Sequence, residues 1–200
     1  MKAYYDRRAP EYDDWYDGHG RWRGVERPGW DDELDALEAV LTRLPSARTL
    51  DVACGTGYLT RWLPGAVVGL DQSERMLREA RRRSPDSRFV QGDGLALPFP
   101  DDSFERVFTG HFYGHLQPDE RERFLVGARR VAPELVVIDA SSRHSPVDEE
   151  WQVRELDDGT RWSVFKRYFT PTALLDELGA GEVLFEGRWF VAVRSWRAVA

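Results

Sequence analysis

The sequence predicts an α/β fold with a doubly wound, largely parallel sheet that carries helices on both faces. Between residues 45 and 141, short apolar runs alternate with amphipathic stretches, which is the pattern of parallel strands connected by helices. Residues 49–54 form one such run and lead directly into Gly55-Thr56-Gly57, a turn that lets a ligand approach the backbone. Further on, two strand-like runs are separated only by Glu186-Gly187-Arg188, so they must pair as an antiparallel hairpin.

The individual elements follow from local periodicity. Leu34, Leu37 and Leu41 recur at spacings of three and four residues, which predicts a helix from about Asp31 to Pro45. Strands are predicted at 49–54, 66–70, 88–91, 104–109 and 135–140, with helices at 58–63, 73–83 and 119–131. Beyond them, we predict a strand at 160–168, a helix at 171–178, and hairpin strands at 182–185 and 189–196.

Composition limits the possible partners. The net charge is −7, with 42% hydrophobic and 32% charged residues, which argues against disorder and against a polyanion such as nucleic acid. The basic run at 78–83 is expected to be the solvated end of a helix. No apolar run reaches the roughly 18 residues of a membrane span, and Cys54 is the single cysteine. We therefore expect a cytoplasmic protein with neither a nucleic-acid nor a membrane partner.

Three acidic residues are predicted to lie along one edge of the sheet. Asp51 is in the first strand, Asp71 closes the second strand 20 residues later, and Asp93 follows the third. A carboxylate at the position of Asp71 can accept both hydroxyl groups of a ribose. A dinucleotide fingerprint would need a third glycine where Thr60 stands, and Asp51 would repel a pyrophosphate. The pattern therefore favours a nucleoside with a cationic group, namely S-adenosylmethionine, over NAD.

At these residues the sequence resembles the class I S-adenosylmethionine-dependent methyltransferases, through "LDVACGTG" at 50–57 and "QGDG" at 91–94. The resemblance implies a Rossmann-like seven-stranded sheet in the order 3-2-1-4-5-7-6, with strand 7 antiparallel. It also implies contacts to the cofactor's methionine part, ribose and adenine. The residues that the resemblance assigns to the cofactor are Tyr12, Asp51, Ala53, Gly55, Gly57, Asp71, Gln72, Met76, Asp93, Gly94, Leu95 and His111.

Under this interpretation, residues 1–200 form a single methyltransferase domain. Residues 1–30 are dense in Tyr, Trp, Arg and Asp, and they form either a lid or binding segment or a disordered tail; their aromatic content favours order. Residues 46–141 are the cofactor-binding core, and 142–200 supply the acceptor side and the terminal hairpin. Tyr12 and Tyr16, four residues apart, would share one helical face over the cofactor.

Two histidines could serve the reaction. His111 and His115 follow the fourth strand, and a histidine near its usual pKa could act as a general base. Either could instead cap the next helix or contact the cofactor, and some members of the family rely on positioning alone. Tyr113, which lies between them, could line the acceptor site or be part of the wall.

The stretch 154–171 suggests the chemistry of the acceptor. If 160–168 is a strand, Lys166 lies on the same face as Trp162 and Val164, an unusual place for a cation unless it has an anionic partner. The alternative is a lysine whose stem lies along the apolar surface while its ammonium group reaches water. The stretch is similar to small O-methyltransferases of natural-product pathways, including one that acts on phosphonates. That similarity implies that Arg154 and Lys166, with Tyr5, Tyr12 or Tyr16 from the lid, bind an anionic substrate.

We therefore expect O-methylation of a small molecule with S-adenosylmethionine, by a monomer or homodimer without a metal. N-methylation of a small molecule and a non-catalytic S-adenosylmethionine-binding module remain alternatives. A nicotinamide oxidoreductase shares the fold but needs the third glycine of the fingerprint.

Overall fold

The computed structural model describes residues 1–197. It contains nine strands: β1 Ala47–Val52, β2 Gly65–Asp71, β3 Arg88–Gln91, β4 Arg106–Gly110, β5 Glu134–Ala140, β6 Glu149–Glu155, β7 Arg161–Arg167, β8 Gly181–Glu186 and β9 Phe190–Trp196. Its α-helices are α1 Lys2–Arg8, α2 Asp14–Asp17, α3 Trp30–Thr42, α4 Glu74–Arg83, α5 Pro118–Val131 and α6 Pro171–Leu178. Within these residues, no helix combines the length and the apolar character that crossing a bilayer requires.

Seven strands form one twisted sheet in the order β3-β2-β1-β4-β5-β9-β8. Strands β1 to β5 pair in parallel, whereas β9 is antiparallel to both β5 and β8. Numbered within this sheet alone, the order is 3-2-1-4-5-7-6 with the seventh strand antiparallel. The predicted fold class, strand order and terminal hairpin are therefore confirmed.

The helices agree with the sequence pattern except at one position. Ser73 caps α4, and its hydroxyl accepts a hydrogen bond from the N–H of Met76. The helix predicted at 58–63 is wrong, because only a single 3-10 turn forms at Thr60–Trp62. Leu63 precedes Pro64 and adopts an extended ψ of 124°, as residues before proline prefer, so the chain passes straight into β2.

Each face of the sheet has its own apolar core. Helices α5 and α6 pack on one face around Phe124 and Leu174, and α3 covers the other with Leu37 and Leu41. The central strands are buried on both faces, as expected for parallel strands between helical layers. This packing leaves the carboxyl ends of the strands as the edge where a ligand can bind.

Two segments extend above that edge. Strands β6 and β7 form a separate antiparallel hairpin; β7 was predicted, whereas β6 was missed because its sequence EEWQVRE lacks a continuous apolar face. The N-terminal segment, defined as residues 1–30, contains α1 and α2. Tyr4 of this segment is fully buried against Leu156 and Val164 of the hairpin region.

Candidate cofactor and acceptor site

The turn after β1 has the conformation that its glycines were expected to allow. Ala53, Gly55 and Gly57 have φ angles of 58°, 55° and 73°, all in the left-handed region that favours glycine. A Cβ atom added at Gly57 would lie 3.2 Å from Cα of Ala80 in α4. At Gly57 the turn is therefore closely packed against the helix that follows β2, and a side chain there would crowd Ala80.

Asp51 lies directly beneath this turn with an incompletely satisfied carboxylate. It is 2% exposed, and its Oδ2 accepts a hydrogen bond from the Thr60 hydroxyl at 2.5 Å. Its Oδ1 is buried and has no hydrogen-bond partner among the described residues. Burial raises the pKa of Asp51 to about 7. A buried carboxylate oxygen without a partner is suited to a cationic ligand such as the amine of a bound amino acid.

Asp71, at the end of β2, is oriented by backbone donors. The N–H groups of Gly55 and Ser73 donate to its two carboxylate oxygens at 3.0 and 2.8 Å. Burial raises the pKa of Asp71 to about 6, although these hydrogen bonds oppose the shift. The carboxylate is thus fixed between the glycine turn and the N-terminus of α4, and each oxygen keeps a lone pair that a ribose hydroxyl could use.

The remaining predicted cofactor residues differ in accessibility. Gln72 and Asp93 follow β2 and β3 at the carboxyl edge, and Gly94 and Leu95 come next. The carboxylate of Asp93 accepts a hydrogen bond from the N–H of Leu95, and a Cβ atom at Gly94 would lie 2.9 Å from Val52. Met76 is fully buried in α4.

The N-terminal segment lies over the glycine turn and is attached to it. Asp13 accepts a hydrogen bond from the Thr56 hydroxyl at 2.5 Å and forms an ion pair with Arg83 at 2.6 Å. The ring of Tyr12 would be 3.7 Å from a Cβ atom at Gly55. Tyr12, Tyr16, Asp51 and the turn enclose a small cavity of about 20 Å³.

A much larger cavity of about 850 Å³ lies between the N-terminal segment, the β6–β7 hairpin and the end of the sheet. Tyr12 lines both cavities, so the two are neighbours. The predicted residues His111, His115, Arg154 and Lys166 all line the large cavity. The structure therefore brings together four residues that are up to 55 positions apart in the sequence, 166 − 111 = 55.

His111 stands where the two cavities adjoin. It follows Gly110, which lines the small cavity, and it has a φ of 57°, which is uncommon for a residue with a side chain. The imidazole is 8% exposed, and its Nε2 has no hydrogen-bond partner among the described residues. Burial lowers the pKa of His111 to about 3, and the Lys166 cation adds to this shift against the opposing Asp139. The ring is therefore neutral at physiological pH.

His115 is also neutral, and its tautomer is defined. Its Nδ1 lies 2.6 Å from the carbonyl oxygen of Phe165; since a carbonyl can only accept, Nδ1 carries the proton and Nε2 is the acceptor. Burial and the Lys166 cation hold the pKa of His115 well below its usual range. The premise that these two histidines titrate near neutrality is therefore not met, because both rings are desolvated beside cations.

Lys166 has an anionic partner, as expected for a lysine in apolar surroundings. Its Nζ lies 2.5 Å from Oδ1 of Asp139 at the end of β5, and both side chains are buried. Asp139 also accepts hydrogen bonds from the N–H groups of Gly114 and Ala140. A polar residue at the carboxyl end of a buried apolar strand was the available signal for Asp139, and the sequence analysis did not use it.

Arg154, like Arg8 and Arg27 of the same cavity wall, has no acidic partner among residues 1–197. Its guanidinium donates two hydrogen bonds to Oε1 of Gln152. Arg8 from α1, which the sequence analysis also missed, lines the same cavity. Its guanidinium donates to the Tyr4 hydroxyl and stacks over Tyr12. His144 is a third histidine on the wall that the sequence did not indicate.

Two predicted substrate residues do not line the large cavity. Tyr113 is fully buried in the core, and its hydroxyl donates to Glu177, because the 3-10 turn after β4 directs the ring inward. Tyr16 stacks on Tyr58 with ring centroids 3.8 Å apart and borders the small cavity instead. A contact with an acceptor is therefore not supported for either residue.

The chain is similar to several known proteins. A family model described as a methyltransferase domain matches residues 49–134. The chain is 39% identical over 118 residues to a demethylmenaquinone methyltransferase of Roseiflexus sp. (strain RS-1), which covers 55% of this chain and 47% of that protein. It is 42% identical over 93 residues to a malonyl-[acyl-carrier protein] O-methyltransferase of Halorhodospira halophila (strain DSM 244 / SL1), covering 42% and 31%. The matched part thus spans about half of these curated relatives or less.

Among solved structures, a DhpI-SAM-HEP complex is similar over nearly the whole chain. The TM-score is 0.73 at 27% sequence identity, covering 96% of this chain and 94% of that one. The corresponding DhpI-SAH complex has a TM-score of 0.71 at 28% identity, with coverage of 96% and 92%.

The geometry agrees with these similarities. The buried Oδ1 of Asp51 can accept a hydrogen bond from an amino-acid amine, and the Asp71 carboxylate can accept those of a ribose. The left-handed glycine turn lets a ligand lie close to the backbone. Residues 49–134 therefore form a methyltransferase domain of the class I S-adenosylmethionine-dependent type, whose cofactor is S-adenosylmethionine.

Proposed function

We propose that this protein transfers a methyl group from S-adenosylmethionine to an oxygen atom of a small anionic molecule. The observation that carries the proposal is the large cavity beside the glycine turn, where Arg154 has no acidic partner and Lys166 is held in place by Asp139. Such cations favour a carboxylate or phosphonate over a neutral acceptor. The relatives' names include an O-methyltransferase, and the DhpI complex with SAM and HEP has a similar fold over the whole chain.

The neutral histidines support an acceptor oxygen that is already deprotonated. When bound, S-adenosylmethionine supplies an electrophilic methyl carbon on a sulfonium. A hydroxyl acceptor would have to lose its proton, and histidines with strongly lowered pKa values hold protons poorly at neutral pH. An anionic oxygen needs no base, so catalysis can rest on alignment. His111 and His115 are then positioning residues whose Nε2 atoms accept hydrogen bonds from other groups of the acceptor.

The cofactor residues are proposed to act as the resemblance implies. Asp51 binds the amine, the backbone at Ala53, Gly55 and Gly57 contacts the methionine chain, and Asp71 accepts the ribose hydroxyls. The adenine is proposed to lie near the segment 93–95 and Gln72. Met76 of α4 is proposed to lie beside it.

We further propose that residues 1–200 act as one domain in which the N-terminal segment is a lid. The cavity of about 20 Å³ at the glycine turn is too small for a nucleoside, so Tyr12 and Tyr16 must move for the cofactor to enter. Asp13 and Asp6 provide contacts that can break and re-form, because they bind Thr56 and Ser73 through side chains. Lid opening would then control exchange of the cofactor.

The proposal is tested by turnover on defined acceptors. The protein is incubated with S-adenosylmethionine and a set of carboxylates, phosphonates, phenols and amines, and both S-adenosylhomocysteine and the methylated product are measured by mass spectrometry. We expect methyl esters from an anionic class. Arg154→Gln should raise KM at least tenfold with a smaller change in kcat, since the loss is one of binding.

Other outcomes select the alternatives. N-methylated products from amines, with turnover unaffected by Arg154→Gln, would show N-methylation instead. Tight S-adenosylmethionine binding without turnover on any acceptor class would favour a non-catalytic binding module. Sedimentation of the same samples would distinguish a monomer from a homodimer.

A further inference from the structure

The large cavity has two chemically different ends. Its buried end contains Lys166 and His111, which are 6% and 8% exposed. Its open end is lined by Val25, Trp151 and Val153, which are 47%, 63% and 72% exposed. The open end is defined here as the apolar rim. Trp151 and Val153 belong to β6, which pairs only with β7 among the described residues, so this part of the rim lies on a free sheet edge.

The exposed apolar side chains are not spread evenly over the surface. Nine large hydrophobic residues are exposed within residues 1–197, and three of them form the apolar rim. Large apolar side chains that are exposed together on one surface usually mark a binding site. The two residues from β6 alternate with Gln152 and Arg154, so their side chains project from opposite faces of the strand, and the cavity reaches both faces around the free edge of β6.

Aromatic residues are frequent along the cavity wall. Five of the eight tryptophans of the chain border this cavity: Trp15, Trp22, Trp30, Trp151 and Trp189. Flat rings of this kind offer large, rigid contact areas to another aromatic group. The volume of about 850 Å³ is near the upper end of the range for small-molecule sites, roughly 300–1,000 Å³. A small anion such as phosphate would fill only a minor part of it.

We propose that the acceptor has two parts, an anionic group bound near Arg154 and Lys166 and an aromatic extension that covers the apolar rim. The inference rests on the proposed function and adds the substrate class to it. The occupant follows from continuity, because the rim and the cations line one cavity. The anionic group fixes the acceptor beside His111, and the extension provides additional binding energy from apolar burial.

The test compares two matched anions on the protein loaded with S-adenosylhomocysteine. Methylphosphonate represents the anionic group alone, and 4-phenylbutylphosphonate adds an aromatic extension. Isothermal titration calorimetry measures Kd for the wild type, Val153→Ser, Trp151→Ser and Arg154→Gln. Val126→Ser is the control, because Val126 is 67% exposed on α5 and does not line the cavity.

For the wild type and Val126→Ser, we expect the extension to lower Kd at least tenfold. The two rim variants should lose most of this gain and bind methylphosphonate normally, whereas Arg154→Gln should weaken both ligands. The inference is overturned if methylphosphonate binds in an Arg154-dependent way but the extension brings no gain, or a gain that the rim variants retain. If Arg154→Gln changes neither ligand, the anionic site itself fails, and with it the proposed function.

A second copy of the chain is the other possible occupant of the rim. Sedimentation velocity over a hundredfold concentration range measures this directly. A wild-type dimer that dissociates in both Val153→Ser and Trp151→Ser, together with no effect of the extension on Kd, would assign the rim to a homodimer contact and overturn the inference. A sedimentation coefficient that is the same in wild type and rim variants supports it.

Discussion

Nζ of Lys166 lies 2.5 Å from Oδ1 of Asp139, and both side chains are buried at the end of the central sheet. Burial alone would raise the pKa of Asp139, but the Lys166 cation and hydrogen bonds lower it overall. Burial lowers the pKa of Lys166, while Asp139 opposes that shift. The pair therefore links β5 to the β6–β7 hairpin and places a cation in the large cavity.

Removing one member of this pair should destabilise the protein strongly. Asp139→Asn leaves a buried ammonium without its counter-charge, which costs about 3–5 kcal/mol, and chemical denaturation measures the change. The control is Glu155→Gln, which breaks the exposed pair with Arg161 at 2.6 Å and should cost less than about 1 kcal/mol. The double variant Asp139→Asn/Lys166→Met should regain part of the loss. Equal effects of the two single changes would contradict the assigned role.

Cofactor affinity should rise with pH through neutrality. The pKa of Asp51 is about 7, and only the ionised carboxylate attracts the amine, so binding releases a proton and tightens as pH increases from 6 to 8. Calorimetry of S-adenosylmethionine at several pH values measures the slope. Asp51→Asn should bind more weakly and lose most of this slope, while any remainder reports Asp71, whose pKa is about 6. A steep slope that persists in Asp51→Asn would rule out this assignment.

The same pKa shift has an opposite consequence for folding. Because the pKa of Asp51 is higher in the folded state than in the unfolded chain, the native protein binds the extra proton and this residue's contribution to stability falls as pH rises from about 4 to 7. Asp51→Asn should remove that contribution. The free energies of unfolding of the wild type and the variant, measured by denaturation at pH 5 and pH 7.5, should therefore differ more at the higher pH.

Substitutions at two glycines can distinguish the effect of steric crowding on stability from that of backbone strain. Gly57 and Gly159 have φ angles of 73° and 78°, but a Cβ atom would lie 3.2 Å from Ala80 at the first and contact nothing within 4 Å at the second. Gly159→Ala should thus cost about 1 kcal/mol of stability from strain alone. Gly57→Ala should cost more and also weaken S-adenosylmethionine binding. Similar losses of stability with unchanged binding would show that the turn does not support the cofactor site.

The attachment of the N-terminal segment should control how long the cofactor stays bound. Asp13→Ala removes the contacts to Thr56 and Arg83; a partly buried ion pair contributes about 1 kcal/mol, which corresponds to roughly fivefold faster release. Stopped-flow displacement of a fluorescent S-adenosylhomocysteine analogue measures the rate. The control is Asp101→Ala, which breaks the distant pair with Arg130 and should leave the rate unchanged. Unaltered release from Asp13→Ala would separate the segment from cofactor exchange.

The sequence by itself determined the sheet and the location of the cofactor edge. Apolar runs, glycines and helix signals are local, so the parallel strands, the Ser73 cap and the turn at Gly55 were predictable from neighbouring residues. Local patterns were misleading at 58–63, where Pro64 prevents a full helix. They also did not reveal β6, because charged residues mask its alternation.

Only the tertiary structure decided the acceptor side. Asp139 and Lys166 are 27 positions apart, and the apolar rim joins Val25 to Val153, so no local pattern reveals either relationship. Burial likewise decided the charge states of His111 and His115, because desolvation depends on what packs around a ring. Side chains of different elements meet only after the sheet has brought their strands together. The elements and the candidate site residues were therefore predictable from the sequence, whereas the partners of those residues were not.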